Sequence, residues 1–467
     1  MSPTRKTLAA AAALLFLILA YAAPQDARAQ AAAAPLAPAA SWVPRSALYE
    51  VFVRDFSPAG NLRGVTAGLA RIQATGADVI WLMPLNPVGV EARKGPLGSP
   101  YAARDYDAID PALGTPADLR ALVRAAHARG LKVILDWVPD HTSPDNVWVK
   151  EHPDFYYRDS LGHPLVPRDL QGHFTDWTDV VQLDYHNPAM RAAMIAELRH
   201  WLVTYDLDGF RQDVAHFIPL DFWSEANTTL RAAVHRPLLM LAEAGGLEMH
   251  RAGFDLTYGW DGYGRLKSVW RGAPVDSFVL GVLADQQAMP AGGMRMRFTT
   301  DHDETAWDRP PVILFGGSTG ARAAFVAMAL MPGRPLLYNG QEVESPQKDS
   351  IFTREAIDWK QPHAAEARAF YARVIHLART DPAFLRGDLR RIVTSDSTDV
   401  IAYSRGGALV LVNARDSAAR FAVTGFAVSG ARDLLSGRME RGDTVSLLAY
   451  GALVLERQVR GPKPRTP

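Results

Sequence analysis

The sequence predicts an α/β protein: a (β/α)8 TIM barrel with a short insertion after its third strand and a C-terminal antiparallel β-sandwich. Three observations predict it. Short apolar runs alternate with amphipathic helical patterns over about 330 residues. One connection is far longer than the rest. After Phe384 the helical pattern gives way to short alternating runs separated by Gly, Asp and Ser turns. Strand-then-helix alternation implies a parallel sheet, because each crossover returns the chain to the same end. Eight such units favour a closed barrel. No glycine-rich dinucleotide fingerprint follows a strand to support an open doubly wound sheet.

The elements are justified in chain order. Residues 1–29 read as a secretory signal: Arg5 and Lys6 are basic, "LAAAAALLFLILAYAA" is the apolar run, and Ala27 and Ala29 suit cleavage after Ala29. As an uncleaved membrane anchor the run is short. Residues 30–45 form an Ala/Pro-rich spacer with nothing to fold it. The barrel takes residues 46–383. Its strands are "ALYEVFVRDF", "DVIWLMP", "KVILDWVP", "DGFRQDV", "LLMLAEA", "FDLTY", "RMRFTTDHD" and "PLLYNGQE". Helices lie between them: "TPADLRALVRAAHARG" has Thr115 as N-cap and Gly130 past its end, and "PAMRAAMIAELRHWLVTYD" starts at Pro188. The insertion, about 142–186, is rich in His, Asp, Trp and Tyr and belongs over the C-terminal mouth of the barrel. Residues 384–459 give the β-domain, with "RRIVTSD", "DVIAYSR", "ALVLVNAR", "FAVTGF" and "LVLERQV" as strands. Residues 460–467 read as a disordered tail.

Composition narrows the classes. Fifty basic and fifty acidic side chains cancel, so nothing points to nucleic acid or an anionic membrane as partner, and no stable membrane association is expected after signal cleavage. An exported or periplasmic location follows from the signal. There is no cysteine, which excludes a thiolate nucleophile and a Cys-ligated metal. Eleven Trp and fourteen Tyr hint at sugar-stacking surfaces, although most aromatics serve a core.

Polar residues at the C-terminal strand ends of such a barrel converge on one mouth. Strand three supplies Asp136 and His141, strand four Arg211 and Asp213, strand five Glu243, and strand seven His302 and Asp303. Singly, each has an ordinary structural reading. Together they place acids where ionisation is costly, which stability does not require. Arg211 and Asp213, two apart in a strand, share a face. The arginine would hold Asp213 ionised, while Glu243 among other acids would keep its proton. Two such carboxyls flanking a bond are what glycoside hydrolysis needs.

The motifs "DWVPDH", "GFRQDVAHF", "LAEA" and "FTTDHD", in that order, resemble the α-amylases of glycoside hydrolase family 13. The similarity extends through "LGSPYAARDYDAIDPALGTPADLRALVRAAHARGLKVILDWV" and "MPGRPLLYNGQEV" and covers roughly residues 46–459. The resemblance implies a retaining mechanism on α-1,4-glucosidic bonds of starch-type glucans or maltooligosaccharides. It implies Asp213 as nucleophile, Glu243 as acid/base and Asp303 as transition-state stabiliser. Arg211, His141 and His302 would line the subsite, Tyr101 would stack on the sugar, and Asp136 would support them. A related transglycosylase, neopullulanase or α-glucosidase is the alternative. Presence of nucleophile and acid argues against a non-catalytic binding subunit, and a metal-dependent hydrolase built on His141 and His302 would need a metal for activity.

The resemblance implies no cofactor for the chemistry. A structural calcium is in doubt. Asp140 and Asp301 stand where Asn is common, and Gln182 in "VVQLD" replaces a common Asp. Asp140 is the candidate calcium ligand, with Asp176, Asp179 or Asp184 within reach of the same loop.

Overall fold

The structure, a computed structural model, describes residues 41–457. The expected signal segment and most of the spacer and tail lie outside them. Eight parallel strands close the barrel in sequence order. They are β1 (Leu48–Val51), β2 (Val79–Leu82), β3 (Lys132–Trp137), β4 (Gly209–Gln212), β5 (Leu239–Ala242), β6 (Leu256–Tyr258), β7 (Met294–Arg297) and β8 (Arg334–Tyr338). Each overlaps a run singled out by the sequence, β7 and β8 starting one residue before theirs. Both faces are covered, so β2 and β5 are buried and apolar throughout rather than alternating.

The helices start as their caps dictate. Thr115 caps α2 (Pro116–His127), its hydroxyl accepting from the Asp118 N–H while Asp118 answers the Thr115 backbone, a full capping box. Asn187 caps α3 (Pro188–Thr204), whose Pro188 lacks the N–H that would be orphaned there. The fifth unit departs from the pattern: only one helical turn, Glu248–Arg251, joins β5 to β6. The fold is also entered earlier than the spacer assignment suggests. Val43 is wholly buried in a 3₁₀ turn, and the Lys132 ammonium sits 5.8 Å from the Trp42 ring.

The C-terminal part has a five-stranded antiparallel sheet and a two-stranded one. The first orders β9 (Leu389–Arg391), β10 (Val400–Arg405), β11 (Ala408–Asn413), β15 (Ala452–Arg457) and β13 (Ala431–Asp433); the second pairs β12 (Ala419–Ala422) with β14 (Thr444–Leu447). Leu409 and Leu411 of one meet Phe421 and Val445 of the other in a separate apolar core. Strands β13 and β14 escape the sequence reading, since three or four residues among Gly, Arg and Asp leave little alternation to see. The sheet docks on the barrel through Tyr403, donating to the Ala327 carbonyl at 3.0 Å, and Arg405, donating to the Leu330 carbonyl at 3.0 Å.

Candidate active site

The mouth is assembled from β4 outward. Gly209 opens that strand because a side chain there would collide with β5: a Cβ would lie 1.8 Å from the Leu239 carbonyl oxygen. This close approach sets β4 and β5 side by side, with Arg211 opposite Leu241 and, on the other flank, Asp136 of β3. Arg211 is fully buried. Its Nη1 donates to Asp136 Oδ1 at 2.9 Å and to Asp213 Oδ1 at 2.7 Å. Its Nη2 lies 3.0 Å from Glu243 Oε2, close but without hydrogen-bond alignment. One guanidinium therefore spans three acids.

The chain then turns sharply. Val214 has φ +37°, a left-handed conformation that a β-branched residue avoids at a cost of about 1–3 kcal/mol. The turn aims the Val214 N–H at Glu243 Oε2, 2.7 Å away. Burial pushes the Glu243 carboxyl well above the usual range. Arg211 and the Val214 N–H pull it down, Asp213 and Asp303 push it up, and the net effect favours a protonated acid. Asp136 has three donors: Arg211, Trp81 Nε1 and the Tyr101 hydroxyl, the last two at 3.1 Å. Burial nevertheless lifts it to about 7, against the pull of Arg211.

His302 and Asp303 lie beyond β7 rather than at its end. Asp303 leads into a single π-helical turn, Glu304–Asp308. The His302 ring stacks on Tyr101 with centroids 5.3 Å apart. Its Nε2 is 2.7 Å from the Tyr101 oxygen and 3.3 Å from Asp303 Oδ2. Burial would raise the Asp303 carboxyl, but His302, Arg211 and Trp307 outweigh it and hold it at about 2. His141 lines the cleft from the opposite side. Its Nδ1 lies 3.2 Å from Asp140 Oδ2, which, against the effect of burial, raises the imidazole above its ordinary value.

The predicted Tyr101, His141, Asp213, Glu243 and Asp303 all line one cleft of about 590 Å³, with Arg211, His302 and Asp136 directly beneath them. Several lining residues were missed. Trp177, Trp260 and Trp307 contribute aromatic walls, and Trp307 Nε1 donates to Asp303 Oδ1 at 3.2 Å although the residue is 64% exposed. An exposed Trp is costly unless it meets a ligand. The order "DHDETAW", with Trp four residues after Asp303, was the available signal. Glu50 of β1 was also passed over, and lies 2.5 Å from His302 Nδ1.

The acids named for calcium do not converge. Asp140 faces His141; Asp179 pairs with Lys94 at 3.1 Å, and the same ammonium donates to the Asp176 carbonyl at 2.8 Å. Asp184 accepts from His186, and Gln182 Oε1 accepts from the Arg168 N–H. Among the described residues no three His, Asp or Glu side chains are grouped to hold a metal. The acidic side chains named for calcium thus form no cradle of their own, and the Lys94 ammonium ties Asp179 to the Asp176 carbonyl.

Comparison with known proteins follows the same lines. A family profile described as the α-amylase catalytic domain matches residues 50–235. The crystal structure of an α-amylase from Lactobacillus plantarum is similar with a TM-score of 0.78 and 31% identity, over 88% of this chain and 99% of that one. An α-amylase of Haloarcula japonica is 28% identical over 383 residues, 79% of this chain and 54% of the relative. An α-1,4-glucan:maltose-1-phosphate maltosyltransferase of Salinibacter ruber is 27% identical over 417 residues, 78% and 59% respectively. The chain spans little more than half the length of these curated relatives.

Proposed function

This chain belongs to the α-amylase family, and we propose that it is a retaining hydrolase of α-1,4-glucosidic bonds in starch-type glucans or maltooligosaccharides. The observation that carries the reading is the single Arg211 guanidinium in contact with both Asp213 and Glu243. Two carboxyls held by one guanidinium are neighbours, and a retaining mechanism needs them about 5–5.5 Å apart, with no water between nucleophile and sugar.

Asp213 attacks the anomeric carbon as Glu243 gives its proton to the leaving glycosidic oxygen, forming a covalent glycosyl ester. Glu243, now a carboxylate, takes a proton from water, which attacks the same carbon and releases Asp213. Arg211 holds Asp213 in place through its 2.7 Å hydrogen bond. Asp303 and His302 grip the sugar hydroxyls, and Tyr101 walls the same subsite. Trp307 offers a stacking platform beside Asp303. No step uses a Lewis acid, and we read the enzyme as needing no calcium, with Lys94 fastening the insertion in its place. The N-terminal segment is read as an export signal; secreted protein beginning at Gln30 would bear this out.

Transfer to a second sugar is the other reading. The aromatic wall of Trp177 stacked on Phe217, next to His216 and Glu243, could hold an acceptor against competition from water. A product time course on soluble starch, maltotriose, pullulan and cyclodextrin tests both. Products shorter than the substrate, released first as α-anomers by NMR, support hydrolysis with retention. Products longer than the substrate mark transfer, and an initial β-anomer sinks the two-step mechanism.

A further inference from the structure

We propose that Glu50, buried at the heart of β1, is a positioning residue that keeps His302 protonated on both ring nitrogens, so that His302 meets the sugar as a cation. The proposal rests on the glycosidase reading above and adds a residue to it.

Hydrogen-bond accounting carries the inference. His302 Nε2 faces the Tyr101 oxygen at 2.7 Å and Asp303 Oδ2 at 3.3 Å. With Asp136 ionised, the Tyr101 hydroxyl donates to its Oδ2 at 3.1 Å and turns an acceptor lone pair towards Nε2. Both neighbours of Nε2 are therefore acceptors, and Nε2 must carry a proton. At Nδ1 the only partner among the described residues is Glu50 Oε1, 2.5 Å away. One further proton lies between those two atoms. On the ring, it makes a cation flanked by two carboxylates, Glu50 and Asp303. On Glu50, it leaves Asp303 facing a neutral ring. The first arrangement has the larger Coulomb gain in a low-dielectric site. Burial would push the imidazole pKa down, but Asp303 and Glu50 together hold it well above the ordinary value.

A merely structural role would not require this residue type. A glutamine amide could donate to Nδ1 without burying a charge, whereas Glu50 is fully enclosed and its Oε2 has no partner. The surroundings add to the balance. Burial is the largest influence on Glu50 and raises its carboxyl; the His302 cation and Arg211 from β4 draw it towards its ionised form, and Asp303 and the buried Asp349 oppose that. Asp136 and Asp301 also face the ring, but burial lifts them to about 7 and about 8, so each favours the cation only while it is ionised.

The test uses the whole enzyme. Nitrogen-15 NMR of histidine-labelled wild type at neutral pH should show His302 protonated at both positions; a neutral ring overturns the proposal without reference to any activity. In Glu50→Gln the ring should become neutral. The kcat/KM on maltotriose should fall about 10²-fold, the scale of one charge-assisted hydrogen bond to a transition state. The alkaline limb of the pH profile should move to lower pH, because the ring proton is lost more readily. His302→Gln should lose a similar factor, and the double variant no more than about twofold further. Additive losses, or a Glu50→Gln enzyme with an unchanged pH profile, would show that Glu50 does not act through His302. Wild type that cleaves no glucan defeats the functional reading and leaves the NMR result standing.

Discussion

Asp208 and Asp213 stand at the two ends of β4, five residues apart, and differ in what surrounds them. Asp208 is saturated. It accepts from His127 at 2.7 Å, the Val133 N–H at 2.9 Å and Lys132 at 3.0 Å. Burial would raise its carboxyl, yet these donors outweigh burial and leave it below the usual range. Asp213 has one side-chain donor, Arg211, and otherwise opens to the cleft. Atoms left without a hydrogen-bond partner at the mouth include Glu50 Oε2, Arg211 Nη2 and Asp301 Oδ2. A buried acid whose lone pairs are all met holds the fold together; one left under-satisfied in a cleft is kept for a ligand.

Substitutions at the two ends should separate activity from stability. The largest effect is expected at the mouth. Asp213→Asn and Glu243→Gln should each lower turnover at least about 10³-fold while melting near wild type, since shape is kept and only charge or proton is lost. Near wild-type turnover in either purified variant would move the chemistry elsewhere. Next comes the cleft wall. Trp307→Ala should raise KM for maltooligosaccharides by about 3–10-fold, the worth of one stacked aromatic face. An unchanged KM would mean that the exposed indole serves only Asp303.

At the other end, Asp208→Asn should leave kcat intact and cost about 1–3 kcal/mol of stability near neutral pH. A depressed carboxyl stabilises the fold above its unfolded value, about 3.9, and that contribution disappears as pH falls through the lower folded value. The stability gap between Asp208→Asn and wild type should therefore close on acidification. A gap that widens there would contradict the contrast. The smallest effect is expected from chelation: dialysis against EDTA should change neither melting temperature nor activity. Activity that disappears in EDTA and returns with calcium would show that the Lys94–Asp179 pair had been given a role it does not have.

The eight barrel strands and the acids and histidines of the mouth were legible because their signals are local. Apolar runs, Thr115 and Asn187 caps, and polar residues at or just past strand ends are all written within a few positions. The C-terminal strands β13 and β14 were not, being too short for alternation to register. Nor was the one-turn crossover after β5, where length alone cannot distinguish a turn from a truncated helix.

Sequence alone thus determined the strand order and placed Asp213, Glu243 and Asp303 around one mouth. Tertiary structure decided which distant groups meet them. Glu50 and His302 are 252 positions apart, and no periodicity links them. Lys94 finds Asp179 only once the insertion folds over the β2 loop. Trp307 reaches Asp303 only because the turn between them winds as a π-helix. Closing the barrel brings Glu50 and His302 within hydrogen-bonding distance, and burial together with the charges each faces then sets their protonation.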